Sequence, residues 1–176
     1  MGIIMSRRNL KILSLTLLVI LCASCDLTTK WMAKNQLKHA APISIVNNYL
    51  ELRYTENTAI AFSMLHSIEP NFRQWIIYSL SLVAISFLSI LIWKVRNESF
   101  LWLLSLMLVF SGAIGNLSER IFRGYVIDFL HLHYYDKWSW PIFNVADILI
   151  TCGAILLGIL MLRNPSDNKT EIMDTE

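Results

Sequence analysis

Apolar residues gather into four long blocks, at 12–32, 75–93, 100–117 and 142–162, with polar or mixed connections of unequal length between them. Each block holds about 18 to 21 residues, which at 1.5 Å rise per residue covers a hydrocarbon core of ~30 Å. None alternates apolar with polar positions as a barrel strand does, and backbone groups in lipid must be paired within their own segment. The pattern predicts four transmembrane helices in a small bundle, an all-α membrane protein with a single domain over 1–163.

The connections add detail. Residues 94–99 form a tight turn, whereas 33–74 and 118–141 are long, polar and aromatic, and the two spans between them put both on the same side. In the first, ISIVNNYLELRYT alternates around Asn47 and Asn48 and predicts a hairpin or small sheet. In the second, Tyr134, Tyr135, Trp138 and Trp140 precede the fourth span, where amphipathic rings settle at the headgroups, and Pro141 suits the first turn of the following helix. The polar tail at 164–176 has no apolar period and is expected to be disordered and cytoplasmic. Arg7, Arg8 and Lys11 before the first span are matched by Lys30, Lys34 and Lys38 after it. Lys94 and Arg96 in the short turn tip the balance, placing both termini in the cytoplasm and the two long links outside.

Composition points the same way: 55% of the 176 residues are hydrophobic, 16% are charged, and the mean hydropathy is +0.50, too apolar for a water-soluble domain. The net charge of +2 is scattered without a basic stripe, which argues against nucleic-acid binding. Cys22, Cys25 and Cys152 lie in apolar blocks, so no disulfide framework is expected, and the C-x-x-C pair reads as small core cysteines on one helix face. Arg7, Arg8, the apolar run and Cys-Ala-Ser-Cys also have the form of a lipoprotein signal cleaved at Cys25. A cleaved lipoprotein would normally leave a soluble domain, and this one would keep three spans. MGIIMS fits the N-myristoylation pattern, an anchor that a polytopic protein does not need.

Ionisable residues inside a span cost roughly 2.5 to 3.5 kcal/mol each at a helix centre, so their depth is informative. Asp26 and Lys30 fall at the outer end of the first span, Asn116 and Arg120 at the outer end of the third, and Asn144 and Asp147 in the first turns of the fourth. Asp128 follows Arg120 closely enough to fold back over the same region. An acid there can pair with Lys or Arg to hold a bundle together, and Ser111, Gly112 and Gly115 suit close helix packing. His131 and His133 lack further ligands at a metal-binding spacing, and no Ser or Cys has a partnered base at a recognisable spacing. Two carboxylates brought within a few ångströms share one proton, and such a pair can activate water and polarise a peptide carbonyl with no metal or cofactor. A carrier or proton relay would instead spread its acids over several depths.

Five blocks in order resemble those of lipoprotein signal peptidases, the signal peptidase II family, over about 26–150. Asp26, Thr29 and Lys30 resemble a D-x-x-T-K block, and Asn57, Ala61 and Phe62 an N-x-G-x-A-F block. Gly112, Gly115, Asn116 and Arg120 resemble G-G-x-x-G-N-x-x-D-R, while GYVIDF and FNVAD resemble the two catalytic blocks. Ala59, Ser111 and Glu119 depart from the family's Gly, Gly and Asp. The resemblance implies four transmembrane helices with a small extracytoplasmic β-sheet cradle and a short periplasmic helix, in the bacterial cytoplasmic (inner) membrane. It implies an aspartic endopeptidase acting as a monomer, without cofactor, that cuts prolipoproteins just before their diacylglyceryl-modified cysteine, whose acyl chains stay in the membrane lipids. Asp128 and Asp147 would be the catalytic dyad, with Asn57, Asn116, Arg120 and Asn144 holding substrate and dyad. Asp26 and Lys30 would position the first helix, and Gly112 and Gly115 would let helices approach.

Overall fold

The computed structural model describes residues 7–58 and 69–163, which form four long helices and one small sheet. The helices are α1 (Arg7–Leu37), α2 (Pro70–Lys94), α3 (Phe100–Arg123) and α4 (Val145–Arg163), each long and apolar enough to cross a membrane. Large side chains such as Leu21, Leu82, Phe87 and Ile155 stay exposed on them, as expected of surfaces that face lipid rather than water. The chain is thus a multi-pass membrane protein. No fifth helix occurs among the described residues; Ala59, Ala61, Phe62 and the tail at 164–176 lie outside them.

Helix α3 is the centre of the bundle and packs against α1, α2 and α4. Small residues make this possible: a Cβ on Gly112 would collide with the Ala146 carbonyl, and one on Gly153 would come within 2.6 Å of the Ser105 carbonyl. Ser111 uses its hydroxyl to donate 3.2 Å to the Val19 carbonyl of α1. Cys22 is half-buried and Cys25 and Cys152 are exposed free thiols, so the cysteines are not the core residues that their apolar setting suggests: apolar surroundings along a lipid-facing helix do not imply burial in protein.

The sheet is built from both long links, in the order β1 (Ile43–Val46), β2 (Leu50–Asn57), β3 (Val126–Tyr134) and β4 (Trp138–Ser139), all antiparallel. The turn at Asn47 and Asn48 joins β1 to β2, with Asn48 at φ 66°, a left-handed conformation that Asn tolerates. Helix α1 runs past its apolar block to Leu37, and Ala33 and Leu37 pack beneath the sheet against Ile127 and Phe129. These four residues weld the sheet to the bundle.

Two helix ends differ from the sequence pattern. Helix α3 continues beyond 117 to Arg123, where Gly124 at φ 79° caps it and reverses the chain into β3. Pro141 is not in the first turn of α4, which begins only at Val145. The preceding residues are held by the sheet instead, since Phe143 exchanges hydrogen bonds with Leu130 at 2.8 and 3.0 Å. Pairing with β3 therefore outweighs the preference of proline for a helix start, and Asp147 is the third residue of α4, within its first turn.

Candidate active site

Asp128 is the third residue of β3, opposite Thr55 of β2. Strand alternation turns Ile127 and Phe129 onto the α1 props and leaves Asp128 facing the other way. There its carboxylate is buried and accepts one hydrogen bond per oxygen: Asn144 Nδ2 donates to Oδ1 at 2.6 Å and Asn57 Nδ2 to Oδ2 at 2.8 Å. Burial pushes its pKa up to about 6; the two amide bonds pull against that shift, the nearby Asp147 charge adds to it, and Lys30 opposes it weakly.

Asp147 is held by a reciprocal cap at the start of α4. Its own N–H donates to Asn144 Oδ1 and its Oδ2 accepts from the Asn144 N–H, both at 3.1 Å. The Oδ1 atom accepts from Asn116 Nδ2 of α3 at 2.9 Å. Asn144 thus binds one carboxylate with its side chain and the other with its backbone. Its amide also donates to Asn116 Oδ1 at 3.3 Å, closing a network that runs from Asp128 through Asn144 and Asn116 to Asp147.

Beneath this network lies a buried charge cluster. Lys30 Nζ, fully enclosed, pairs with Asp26 Oδ2 at 2.8 Å, donates to Asn116 Oδ1 at 2.8 Å and lies 3.5 Å from Glu119 Oε2. Asp26 Oδ1 accepts from the Ala146 N–H at 2.8 Å, so an acid from α1 caps α4. Gly115 leaves room for it: a Cβ there would stand 2.6 Å from Asp26 Oδ2. Glu119 reaches the Ile127 N–H at 2.9 Å and pairs with Arg123 at 3.3 Å, fixing the start of β3 one residue before Asp128.

Asp26, Lys30, Asn57, Asn116, Asp128, Asn144 and Asp147 are therefore drawn into one polar cluster, packed through Gly112 and Gly115. Arg120 joins it only at the edge: its guanidinium donates 3.3 Å to the Asn116 carbonyl and makes no ion pair with either aspartate among the described residues. Beside Asp147 an apolar groove of about 380 Å³ runs between β4 and α4, walled by Trp138, Trp140, Phe143, Ile148 and Cys152. Its apolar wall was not legible as a site, because Ile148 and Cys152 belong to a lipid-spanning pattern and the tryptophans to an interfacial one.

A family model described as signal peptidase II matches residues 18–163. The chain belongs to the signal peptidase II family. It is similar to a lipoprotein signal peptidase of Clostridium acetobutylicum, 36% identical over 137 residues, 78% of this chain and 86% of the relative. Another from Francisella tularensis subsp. novicida is 37% identical over 141 residues, 80% of this chain and 86% of the relative. The fold is similar to that of a bacterial membrane enzyme solved by the in meso method, with TM-score 0.69 and 27% identity, covering 90% of this chain and 92% of that one. As a member of the signal peptidase II family the chain is a peptidase.

Proposed function

We propose that this peptidase removes signal peptides from diacylglyceryl-modified prolipoproteins, cutting before the modified cysteine with Asp128 and Asp147 as an aspartic dyad. The observation that carries the reading is the shared Asn144, which engages both carboxylates, together with burial that keeps Asp128 protonated up to a pH of about 6. In the productive state one proton resides on Asp128. Asp147, its two oxygens braced by Asn116 and the Asn144 N–H, accepts a proton from water as that water attacks the scissile carbon. Asp128 donates a hydrogen bond to the carbonyl oxygen as it gains charge, and the proton then passes to the departing amine. A protonated Asp128 Oδ2 keeps a lone pair for the Asn57 amide, so Asn57 can hold the carboxyl in either protonation state while the hydrogen turns toward the substrate carbonyl.

The apolar groove beside Asp147 suits an extended, apolar signal-peptide segment, and an opening toward lipid lets acyl chains remain in the bilayer. The reading places the enzyme in the bacterial cytoplasmic membrane as a monomer, with both termini cytoplasmic and sheet and dyad near the outer face. A chain that was itself a lipoprotein cleaved at Cys25 would lose the first half of α1, the helix whose remainder carries Asp26 and Lys30.

Incubation of Asp128→Asn and Asp147→Asn variants with a lipid-modified precursor in detergent micelles tests the dyad. Cleavage should fall by about a hundredfold or more in each, the usual weight of acid–base groups. Undiminished cleavage by a folded variant would refute the assignment. Labelling of single cysteines in the turn at 94–99 and in the sheet with an impermeant reagent on intact cells tests the orientation; only the sheet positions should react.

A further inference from the structure

Across the sheet from the dyad lies a second constellation that sequence spacing hides, because its members come from three strands. Glu51 of β2 and His131 of β3 are direct cross-strand partners, and Ser139 of β4 reaches the same ring. His131 Nδ1 lies 2.8 Å from Glu51 Oε1, and His131 Nε2 lies 2.7 Å from Ser139 Oγ. A carboxylate only accepts, so the hydrogen of a neutral His131 sits on Nδ1 and the Nε2 lone pair faces the serine hydroxyl. That is the tautomer a general base needs in order to activate a hydroxyl nucleophile.

The surroundings fit a working site better than an incidental strand clasp. His131 is buried and its ring stacks on His133 at 5.2 Å, which fixes its plane, whereas Ser139 is exposed. All three residues line an open cavity of about 530 Å³, where Arg53, 3.9 Å from Glu51, and Lys137 bring positive charge and Asp136 a negative one. Strand alternation puts His131 on the face opposite Asp128, and the cavity and the groove beside Asp147 share Trp138 as a common wall.

We propose that Ser139, His131 and Glu51 form a second nucleophilic site, independent of the dyad, that attacks small carboxylic esters. Ser139 Oγ bonds to the ester carbonyl carbon while its proton moves to His131 Nε2, and Lys137 in the cavity lining offsets the charge of the oxyanion. The carbon–oxygen bond to the alcohol then breaks and the alcohol leaves with the proton from His131. Water, deprotonated by His131, releases the acid and restores the serine. With a fluorophosphonate, the Oγ–P bond forms, the P–F bond breaks, fluoride leaves and the serine stays modified.

The purified full-length chain in detergent micelles is treated with a fluorophosphonate probe, before and after thermal unfolding, and the adduct is mapped by mass spectrometry; hydrolysis of p-nitrophenyl acetate is followed in parallel. The native chain should carry the adduct on Ser139 and the unfolded chain should not. Ser139→Ala should abolish both labelling and ester hydrolysis. Glu51→Gln, which preserves shape but not the tautomer, should slow both by about a hundredfold or more. Prolipoprotein cleavage by these variants reports that they are folded. The absence of a Ser139 adduct on the unmodified native chain overturns the proposal without any variant. Labelling that is equal in native, unfolded and Glu51→Gln chains overturns it too, leaving a hydrogen-bonded clasp between strands.

Discussion

Replacing Lys30 by Met removes the only cation among the described residues that touches both Asp26 and Asn116. Its Nζ lies 2.8 Å from Asp26 Oδ2, 2.8 Å from Asn116 Oδ1 and 3.5 Å from Glu119 Oε2, and no part of the side chain reaches the surface. Met fills a similar volume, so the loss is electrostatic rather than a cavity. Leaving a buried partner charge uncompensated costs about 3 to 5 kcal/mol. Glu119 keeps Arg123 at 3.3 Å, so the uncompensated charge is mainly that of Asp26, and the lower half of that range is expected. At a few degrees per kcal/mol for a chain of this length, the unfolding midpoint in detergent should fall by roughly 10 °C. Cleavage should fall as well, because Asn116 loses the contact that orients its amide toward Asp147. Adding Asp26→Asn removes the stranded charge, so the double variant should be more stable than the sum of the two single losses. Thermal unfolding of the four proteins measures this coupling, and strictly additive losses would refute the account of the buried cluster.

Gly115→Ala forces a methyl to within 2.6 Å of Asp26 Oδ2 and should cost about 1 to 3 kcal/mol, with a slower cleavage rate as the cap on α4 is displaced, read by unfolding and a precursor assay. Asp128, with its pKa raised to about 6, destabilises the fold progressively as pH climbs from about 4 to about 6, by about 3 kcal/mol in total, and Asp128→Asn should flatten that slope in a pH series of unfolding curves. In the unmodified enzyme kcat/KM should decline as pH rises through about 6, and Asn57→Leu, which removes a bond favouring the charged form, should move the decline to higher pH. A lipophilic maleimide should block cleavage by reacting at Cys152 in the groove wall, and Cys152→Ser should be resistant although Cys22 and Cys25 remain.

The helices were legible because lipid leaves the backbone few alternatives, and a run of apolar residues long enough to span is its own signal. The hairpin was legible through alternation around Asn47 and Asn48. What the pattern misjudged were ends and partners. Pro141 belongs to an extended segment because Phe143 bonds Leu130, a tertiary fact invisible in the local sequence. Depth along the spans singled out Asp26, Lys30, Asn116, Asn144 and Asp147, and the structure gathers them. It could not disclose that Asn144 would serve both carboxylates, nor that Glu119 would hold the Ile127 N–H. The Glu51, His131 and Ser139 contacts were hidden for the same reason, since strand register decides which distant residues meet.

The pairing of β2 with β3 has a consequence for biogenesis. These strands are delivered by different links, β2 preceding the second span in the chain and β3 following the third. Until both stand on one side, Asp128 lacks Asn57, and Asp147 awaits the still later arrival of α4. A nascent chain halted midway, or one whose third span inserts backwards, therefore cannot assemble the cluster. The order of the elements along the chain therefore leaves Asp147 without Asn116 until α4 is in place.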